Sequence, residues 1–247
     1  MKNIKAIFLK QWMSQLRQPV MLIQAGVFLI MVLVFTFLLN DPDCYECIPA
    51  VPAVVCPDCE GRAHDLPTPS MAGMFAIMFV GMAMISSASS LVAEDKSTQN
   101  FRFMAMADVK PWEYLLGTAS SKWFLSIPVL VLWALLDGNF DVNFFWFMAL
   151  TIPGALVSIF VGLVVGTSKV AVLAMPLSFL FGMGPMLSAQ NDTLAGVLRF
   201  TYTQQINLTI ADMDAANFSE AFIIIAANFA LMVVLYFLIH RKGKLLP

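Results

Sequence analysis

Charged residues are scarce in this sequence. Only 12% of its 247 residues are Asp, Glu, Lys or Arg, whereas soluble globular chains carry about 25% charge. Hydrophobic residues make up 60% of the chain, and the mean hydropathy is +0.80. These values exclude a soluble globular domain and are typical of a protein embedded in a lipid bilayer. The net charge of −2 gives no reason to expect a nucleic-acid partner.

The motifs of several common enzyme classes are also missing. The sequence contains no G-x-x-x-x-G-K-[ST] phosphate-binding loop, no H-E-x-x-H zinc motif and no G-x-S-x-G nucleophile elbow. Its only histidines are His64 and His240. We therefore predict that the chain is not an enzyme, has no catalytic residues and carries no ATPase site of its own.

Ionisable residues are almost absent from the apolar runs of the sequence. Proton- and ion-coupled transporters usually keep such residues at membrane depth, where they carry the coupling. Their scarcity argues against a self-sufficient secondary transporter and against an intramembrane hydrolase. What remains is a permease driven by another protein, or a passive or structural membrane protein.

Apolar runs long enough to cross a bilayer recur along the chain. A membrane-spanning helix needs about 20 apolar residues, and these runs predict an all-α polytopic membrane protein with a single permease domain, residues 1–247. Interior prolines such as Pro128 and Pro153 predict kinked or locally broken helices. Small residues in the second span predict that it packs closely against another helix, in the same chain or in a partner. The six predicted spans are approximately 20–39, 70–92, 118–136, 144–166, 169–188 and 219–240.

Residues 1–18 predict an amphipathic helix ahead of the first span. This helix would lie in the membrane interface, either as a topological anchor or as a functional elbow. It is not a cleavable signal, because its basic residues extend to Arg17 and no small-residue cleavage site follows the apolar run. Gln15 and most of the basic residues fall outside the predicted apolar face, which consists of Ile4, Ile7, Phe8, Trp12 and Leu16.

The basic residues predict the orientation of the spans. With six spans and a cytoplasmic start, twelve of the fourteen Lys and Arg residues lie on the cytoplasmic side, and only Arg62 and Arg199 lie outside. Membrane proteins show this bias because cytoplasmic loops retain an excess of positive charge. We therefore expect a multi-pass cell-membrane protein with both termini in the cytoplasm.

Two long segments are then expected on the outer side. Residues 40–69 contain two C-x-x-C pairs and His64, which we expect to be a solvated loop residue. An oxidising compartment favours disulfides, and four cysteines allow three pairings. A zinc site is the second alternative, because C-P-D-C resembles a metal knuckle. Free thiols are the third. Residues 189–218 predict one or two short helices or a re-entrant element. The four cysteines are Cys44, Cys47, Cys56 and Cys59.

The longest internal polar stretch expected in the cytoplasm is residues 94–117, EDKSTQNFRFMAMADVKPWEYLLG. A turn between two spans needs only about four to six residues. Here a charged start is followed by a short helix-capable run, a proline stop at Pro111 and an amphipathic return. We interpret the stretch as a surface presented to a separate motor subunit. The alternative is that its Phe and Met residues only anchor an interfacial helix.

The run ASSLVAEDKSTQNFRFMAMADVKPWEYLLGTASSKW resembles the segment that links the second and third spans of type-2 ABC exporter permeases. In that family a small-residue helix ends in a Glu with a neighbouring charge, and a short coupling helix and a P-x-x-x-x-hydrophobic-G-K-like return follow. Glu94 and Lys96 match the charged start. Pro111 and Gly117 resemble the return, with Lys122 later than the usual basic residue.

The resemblance also covers the N-terminal elbow helix, the six spans and the structured outer segment, although the cysteine loop is not a family hallmark. It implies the transmembrane subunit of an ATP-driven exporter that moves a hydrophobic or amphipathic substrate, such as a peptide, a lipid-like molecule or a drug. A partner cytoplasmic ATPase would bind ATP and Mg, and a second copy or a sister permease would complete a dimer among membrane lipids. The residues implied in ATPase docking are Glu94, Asp95, Lys96, Phe101, Arg102, Phe103, Met104 and Pro111.

A non-transporting membrane scaffold or assembly protein is the alternative function. In that case the outer cysteine loop would bind a metal or a partner. Copurification with an ATPase would favour export over the scaffold.

Overall fold

The computed structural model of the protein describes residues 2–17, 20–39, 71–136, 142–167, 173–188, 191–211 and 215–242. Within these ranges the chain forms helices joined by turns, with no strand. The predicted all-α class is therefore confirmed for the described part of the chain. All four cysteines and His64 lie outside the described residues, so the disulfide, zinc and free-thiol alternatives stay open.

The apolar runs fold into long helices, and the polar segments between them fold into short ones. One long helix contains a π-helical turn, Phe79–Ala83, which joins α3 to α4 without a break. The helices are α1 (Lys2–Arg17), α2 (Val20–Leu39), α3 (Met71–Met78), α4 (Met84–Ser97), α5 (Asn100–Met106), α6 (Pro111–Leu136), α7 (Val142–Thr167), α8 (Ala174–Ser188), α9 (Asp192–Leu198), α10 (Tyr202–Ala211) and α11 (Ala215–Lys242).

Four described helical stretches are long and apolar enough to cross a membrane: Gly73–Ser97, Pro111–Trp133, Phe145–Thr167 and Phe218–Ile239. They agree with a multi-pass helical membrane protein. α2 has twenty residues and α8 has fifteen, and neither is among the four. The six-span count therefore stays a prediction.

Prolines do not break the helices where the sequence suggested they might. α6 continues through Pro128, and α7 continues through Pro153. Lipid offers the backbone no alternative hydrogen-bond partner, which favours continued helix on both sides of each proline. The irregular turn lies instead in the small-residue span, at Phe79–Ala83, where no proline occurs. Such π-helical turns insert one extra residue per turn.

Small residues bring α4 and α7 into direct backbone contact, as the second-span composition predicted. A Cβ added to Gly162 would lie 2.5 Å from the Ile85 carbonyl oxygen, and one added to Gly166 would lie 2.9 Å from Val92 Cβ. Residue numbers rise together along both helices, so α4 and α7 run parallel. Their partner helix therefore lies in the same chain.

α2 runs antiparallel beside α3 and α4. The Gln24 amide donates to the Ser86 hydroxyl at 3.4 Å, and the Phe28 and Phe75 ring centroids are 6.5 Å apart. Residues later in α2 thus contact residues earlier in the α3–α4 span, so the two helices run in opposite directions. α2 accordingly passes alongside α4 and α3 toward the Met71 end of that span.

α6 also runs antiparallel to the α3–α4 span. Trp133 meets Phe79 edge to face, with ring centroids 4.5 Å apart, while the Tyr114 hydroxyl donates to Asp95 at 2.9 Å. The end of α4 and the start of α6 therefore meet at one end of the bundle. We call this the α5 end, because α5 connects these two helices there.

Candidate coupling segment

The segment between the second and third long helices is shorter than the sequence suggested. α4 extends through Ser97, and α6 begins at Pro111, so thirteen residues, 98–110, lie outside the long helices. The charged residues 94–96 are thus part of the last turns of α4. α5 and its flanking turns project from the α5 end of the bundle.

Two left-handed residues set the direction of α5. Gln99 has φ 56° and Asp108 has φ 52°, one on each side of the helix. Before α5, the Thr98 N–H donates to the Glu94 carbonyl at 2.9 Å and the Gln99 N–H donates to the Lys96 carbonyl at 3.2 Å. These bonds satisfy carbonyl groups that the end of α4 would leave open. The chain therefore reverses twice within thirteen residues without a glycine.

Pro111 starts α6, whereas the sequence predicted a proline stop at this position. A proline in the first position of a helix loses no intrahelical hydrogen bond, and its fixed φ suits the helix. Glu113 supports the same start, because its Oε2 accepts from the Lys110 N–H at 3.1 Å. This contact is the Glu half of a capping box.

α5 exposes an apolar pair at the outer edge of the segment. Phe103 is 61% exposed and Met106 is 68% exposed. Arg102 and Lys110, on the same segment, are also exposed, and Met104 is half-buried. The Phe101 backbone lies in α5, but its side chain is outside the described residues. The exposed part of the segment thus combines two large apolar side chains with two cations.

Asp95 holds the base of the segment together. Its side chain is buried, with the residue 4% exposed, and each carboxylate oxygen accepts two hydrogen bonds. Oδ1 accepts from Lys10 Nζ at 3.2 Å and from Asn100 Nδ2 at 2.9 Å. Oδ2 accepts from Gln11 Nε2 and from the Tyr114 hydroxyl, both at 2.9 Å. A carboxylate has about four lone-pair sites, so these four donors occupy all of them.

Lys96 connects the same turn of α4 to a different helix. Its ammonium group donates to the Gly166 carbonyl at 2.6 Å and to the Thr167 carbonyl at 3.0 Å. These carbonyls belong to the last turn of α7, which has no intrahelical donors for them. A cation at a helix C-terminus is also favoured by the helix dipole. Lys96 therefore ties the end of α4 to the end of α7.

α1 packs on the bundle with a face that differs from the predicted apolar one. The buried residues Ile7, Gln11 and Gln15 recur at four-residue spacing, so they form one stripe. Gln11 binds Asp95, and Gln15 Nε2 donates to the Ser121 hydroxyl at 3.2 Å. The stripe is partly polar because the surfaces of α4 and α6 that it covers are polar.

Gly117 allows α1 to approach α6 closely. A Cβ at this position would lie 2.7 Å from Ile7 Cγ2 and 3.2 Å from the Ile4 carbonyl oxygen. The sequence resemblance had associated Gly117 with the return of the coupling segment. In the structure this glycine lies against α1.

Lys122 is an exception to the expected absence of ionisable groups in the spans. It lies within the candidate span Pro111–Trp133 and is only 2% exposed. The long Lys side chain can extend along its helix toward a polar end, which reduces the cost of the position.

The predicted docking residues other than Phe101, whose side chain is outside the described residues, therefore divide into four groups by position. Arg102 and Phe103 are exposed, and Glu94, Met104 and Pro111 are partly buried. Lys96 is exposed in part but bonded to α7, and Asp95 is buried. No group of three or more His, Cys, Asp or Glu that could hold a metal occurs in the part of the chain that the structure describes.

A comparison with known protein families matches most of this chain to a family of membrane transporters. The model of the ABC-2 type transporter membrane family matches residues 2–189, which include the coupling segment and five of the six predicted spans. Comparisons with curated proteins and with solved structures found no match.

Proposed function

The chain belongs to the ABC-2 type transporter family, and from that premise we propose that it is the membrane subunit of an ATP-driven exporter with a separate ATPase. The cargo in this proposal is hydrophobic or amphipathic, such as a peptide, a lipid-like molecule or a drug. The sequence supports a separate ATPase because it contains no phosphate-binding loop.

The observation that carries the proposal is the exposed apolar pair on α5. Phe103 and Met106 project from a short helix whose two ends are fixed by turns and by Asp95. Aromatic residues and Met are enriched in the cores of protein–protein interfaces, where they fill pockets. Arg102 and Lys110 would add charge complementarity to an acidic rim. We assign the ATPase as the occupant of this surface.

In this proposal α5 transmits a change of state from the ATPase to the membrane helices. A ligand shifts a conformational equilibrium only when it binds one state better than the other. ATP would favour a closed arrangement of two ATPase subunits and thereby displace the bound α5. Asp95 and Lys96 lie at the base of α5, so the displacement would reach α4, α6 and α7. The exporter would need two membrane subunits, either two copies of this chain or this chain and a sister permease.

The proposed orientation places α1, α5 and the end of α11 on the cytoplasmic side. Twelve of the fourteen basic residues then face the cytoplasm. That bias supports a cell-membrane protein with six spans, in which α2 and α8 cross the bilayer together with the four longest apolar stretches.

The proposal predicts that removing the apolar pair abolishes ATPase binding. Phe103→Ala combined with Met106→Ala should reduce the ATPase that copurifies with the membrane subunit at least about tenfold, because two large apolar contacts are lost. The measurement is quantitative mass spectrometry of the complex extracted from native membranes.

The matched control is a second exposed apolar pair of the same size. Val197 is 69% exposed and Phe200 is 71% exposed, on a segment expected outside the membrane. Val197→Ala combined with Phe200→Ala should leave ATPase recovery unchanged. Equal recovery from all three proteins would contradict docking at α5, and a wild-type chain that recovers no ATPase would overturn the proposed function.

A further inference from the structure

The Asp95 carboxylate, in α4, joins three other helices, and its two partners in α1 are 85 and 84 residues away in the sequence. Lys10 and Gln11 belong to α1, Asn100 begins α5, and Tyr114 lies in the first turn of α6. Asp95 itself belongs to α4. One buried side chain thus contacts the helix that precedes the first span, the helix proposed to bind the ATPase and both of the helices that α5 connects.

This geometry opposes separation of α1 from α5. If α1 moved away, the carboxylate would lose Lys10 and Gln11, two of its four hydrogen-bond partners. Removing one partner from a buried charge destabilises a protein strongly. The free-energy cost exceeds the net stabilisation that the intact pair contributed. Hydrogen bonds to charged groups are also stronger than neutral ones. The contact therefore favours states in which α1 and α5 keep their relative position.

Packing on the other side of α1 acts in the same direction. The absence of a side chain at Gly117 lets Ile7 lie directly on α6, and Gln15 binds Ser121 one helical turn further along α6. α1 is thus fixed to the start of α6 along two turns of its own length, in addition to its contact with Asp95. The aromatic pair of Phe8 and Phe124, with ring centroids 6.1 Å apart, extends the same interface.

We propose that Asp95 is a positioning residue that makes α1 move with α5 as one body when the ATPase changes state. This inference rests on the proposed function and extends it. α1 becomes part of the moving element instead of a passive membrane anchor. Asp95 acts through the positions of Lys10, Gln11 and Asn100 and has no contact of its own with the ATPase.

The experiment measures distances in the complex of this chain with its copurified ATPase in lipid nanodiscs. Spin labels are attached through a noncanonical amino acid, so the native cysteines stay in place. One label pair joins the exposed positions 5 and 102, on α1 and α5, and the other joins 102 and the exposed position 223, on α11. Because Arg102 lies on the proposed docking surface, only labelled proteins that copurify the ATPase at the wild-type level are measured. Each pair is measured without nucleotide and with ATP, Mg and vanadate.

In the wild type we expect the 102–223 distance to shift between the two nucleotide states, while the 5–102 distance stays the same. In Asp95→Asn the 5–102 distance should become dependent on nucleotide, because the neutral side chain no longer attracts Lys10. Asp95→Glu keeps the charge and should restore the wild-type behaviour at least in part. Lys10→Met removes one donor from an exposed position, so the 5–102 distance should depend on nucleotide to a smaller extent. If Asp95→Asn does not fold, Lys10→Met is the variant that tests the inference.

Lys96→Met is the matched control, because it alters the neighbouring residue and breaks the link to the α7 carbonyls while leaving the Asp95 carboxylate and its four donors in place. Its 5–102 distance should match the wild type. Two results would overturn the inference about Asp95 but not the proposed function. One is a 5–102 distance that changes with nucleotide in the wild type, and the other is a 5–102 distance that stays fixed in both Asp95→Asn and Lys10→Met. A 102–223 distance that never responds to nucleotide in the wild type would overturn the proposed function, and the inference with it.

Discussion

At the scale of single residues, one glycine decides how closely α1 can approach the bundle. Gly117→Ala would place a methyl group 2.7 Å from Ile7 Cγ2 and 2.9 Å from Ile7 Cβ. Ile7 is branched at Cβ and cannot swing away easily. Overpacking of this kind typically costs about 1–3 kcal/mol. We expect a lower unfolding midpoint in detergent and faster proteolysis of α1.

Gly26→Ala is the matched control for this substitution. Among the described residues, no atom outside its own helix lies within 4 Å of the position that the new Cβ would take. Because alanine is a better helix former than glycine by about 1 kcal/mol, stability should stay the same or rise slightly. A Gly117→Ala protein as stable as Gly26→Ala would contradict the close contact between α1 and α6.

The residues of the coupling segment show what local sequence can and cannot predict. The order of charges, apolar residues and Pro111 was enough to locate the segment and to predict a short helix within it. The partners of Asp95 were not predictable in this way. Lys10 and Gln11 are 85 and 84 residues away from Asp95. No local pattern marks a glutamine on a basic helix as the partner of a carboxylate in another helix.

At the scale of helices, the charged last turn of α4 explains why the predicted span ended too early. The sequence placed the end of the span near residue 92, because three charged residues follow. The helix continues to Ser97 since Asp95 and Lys96 find partners in other helices. The same applies to α6, which begins at Pro111 and not near residue 118. Tertiary contacts at the α5 end of the bundle thus extend both helices beyond their apolar cores.

Lys96 gives a prediction for the helix it caps. Lys96→Met keeps the apolar stem but removes both donors from the Gly166 and Thr167 carbonyls. A cation at a helix C-terminus contributes about 0.3–1 kcal/mol, and up to about 2 when partly buried. We expect faster amide exchange over the last turns of α7, measured by mass spectrometry on the protein in nanodiscs, with little change in α1.

Lys96→Arg keeps the charge and the donors and serves as the conservative variant. Its amide exchange in α7 should return most of the way to the wild-type level. Equal protection of α7 in the wild type and Lys96→Met would show that the two hydrogen bonds do not stabilise the end of the helix.

At the scale of the whole molecule, the contacts between helices bear on how many of them cross the membrane. α1 binds Asp95 at the α5 end of the bundle, whereas the second long helix begins at Met71 at the opposite end. The chain must therefore traverse the length of the bundle between α1 and α3. α2 is apolar, has twenty residues and lies antiparallel to the α3–α4 span, which suits that crossing. At 1.5 Å per residue it measures about 30 Å, the thickness of the hydrocarbon core.

α8 is the shorter of the two remaining predicted spans, and contacts with distant parts of the chain, which no local sequence pattern shows, determine its surroundings. Its fifteen residues measure about 22 Å, shorter than the hydrocarbon core. The backbones of Gly182 in α8 and Gly81 in the π-helical turn are in direct contact, with a distance of 2.6 Å from the added Gly81 Cβ to Gly182 Cα. α10 packs beside them, where Tyr202 and Ser158 share a 2.6 Å hydrogen bond. Residues 189–218 were predicted to form one or two short helices or a re-entrant element, and the short helices α9 and α10 are observed there, with α10 reaching well into the bundle.

The two possible span counts make different predictions about which loops share a side. With six spans, positions 5 and 102 lie together and position 197 lies opposite. If α2 and α8 did not cross, positions 102 and 197 would share a side and position 5 would lie opposite. The second arrangement also divides the basic residues almost evenly, with eight on one side, namely Lys2, Lys5, Lys10, Arg17, Arg62, Arg241, Lys242 and Lys244, and six on the other. Such a division lacks the strong cytoplasmic excess that sets topology.

We therefore expect labelling from outside intact cells to reach position 197 and neither position 5 nor position 102. Each position in turn carries an azide-bearing noncanonical residue, and the probe is a membrane-impermeant alkyne, so the native cysteines do not interfere. All three positions are exposed and should react after detergent extraction, which controls for access. In inverted vesicles the pattern should reverse, with positions 5 and 102 labelled together. Labelling of positions 102 and 197 from the same side would establish the smaller span count and would contradict binding of α5 to a cytoplasmic ATPase. Labelling of positions 5 and 102 from opposite sides would be incompatible with the hydrogen bonds that α1 makes to Asp95.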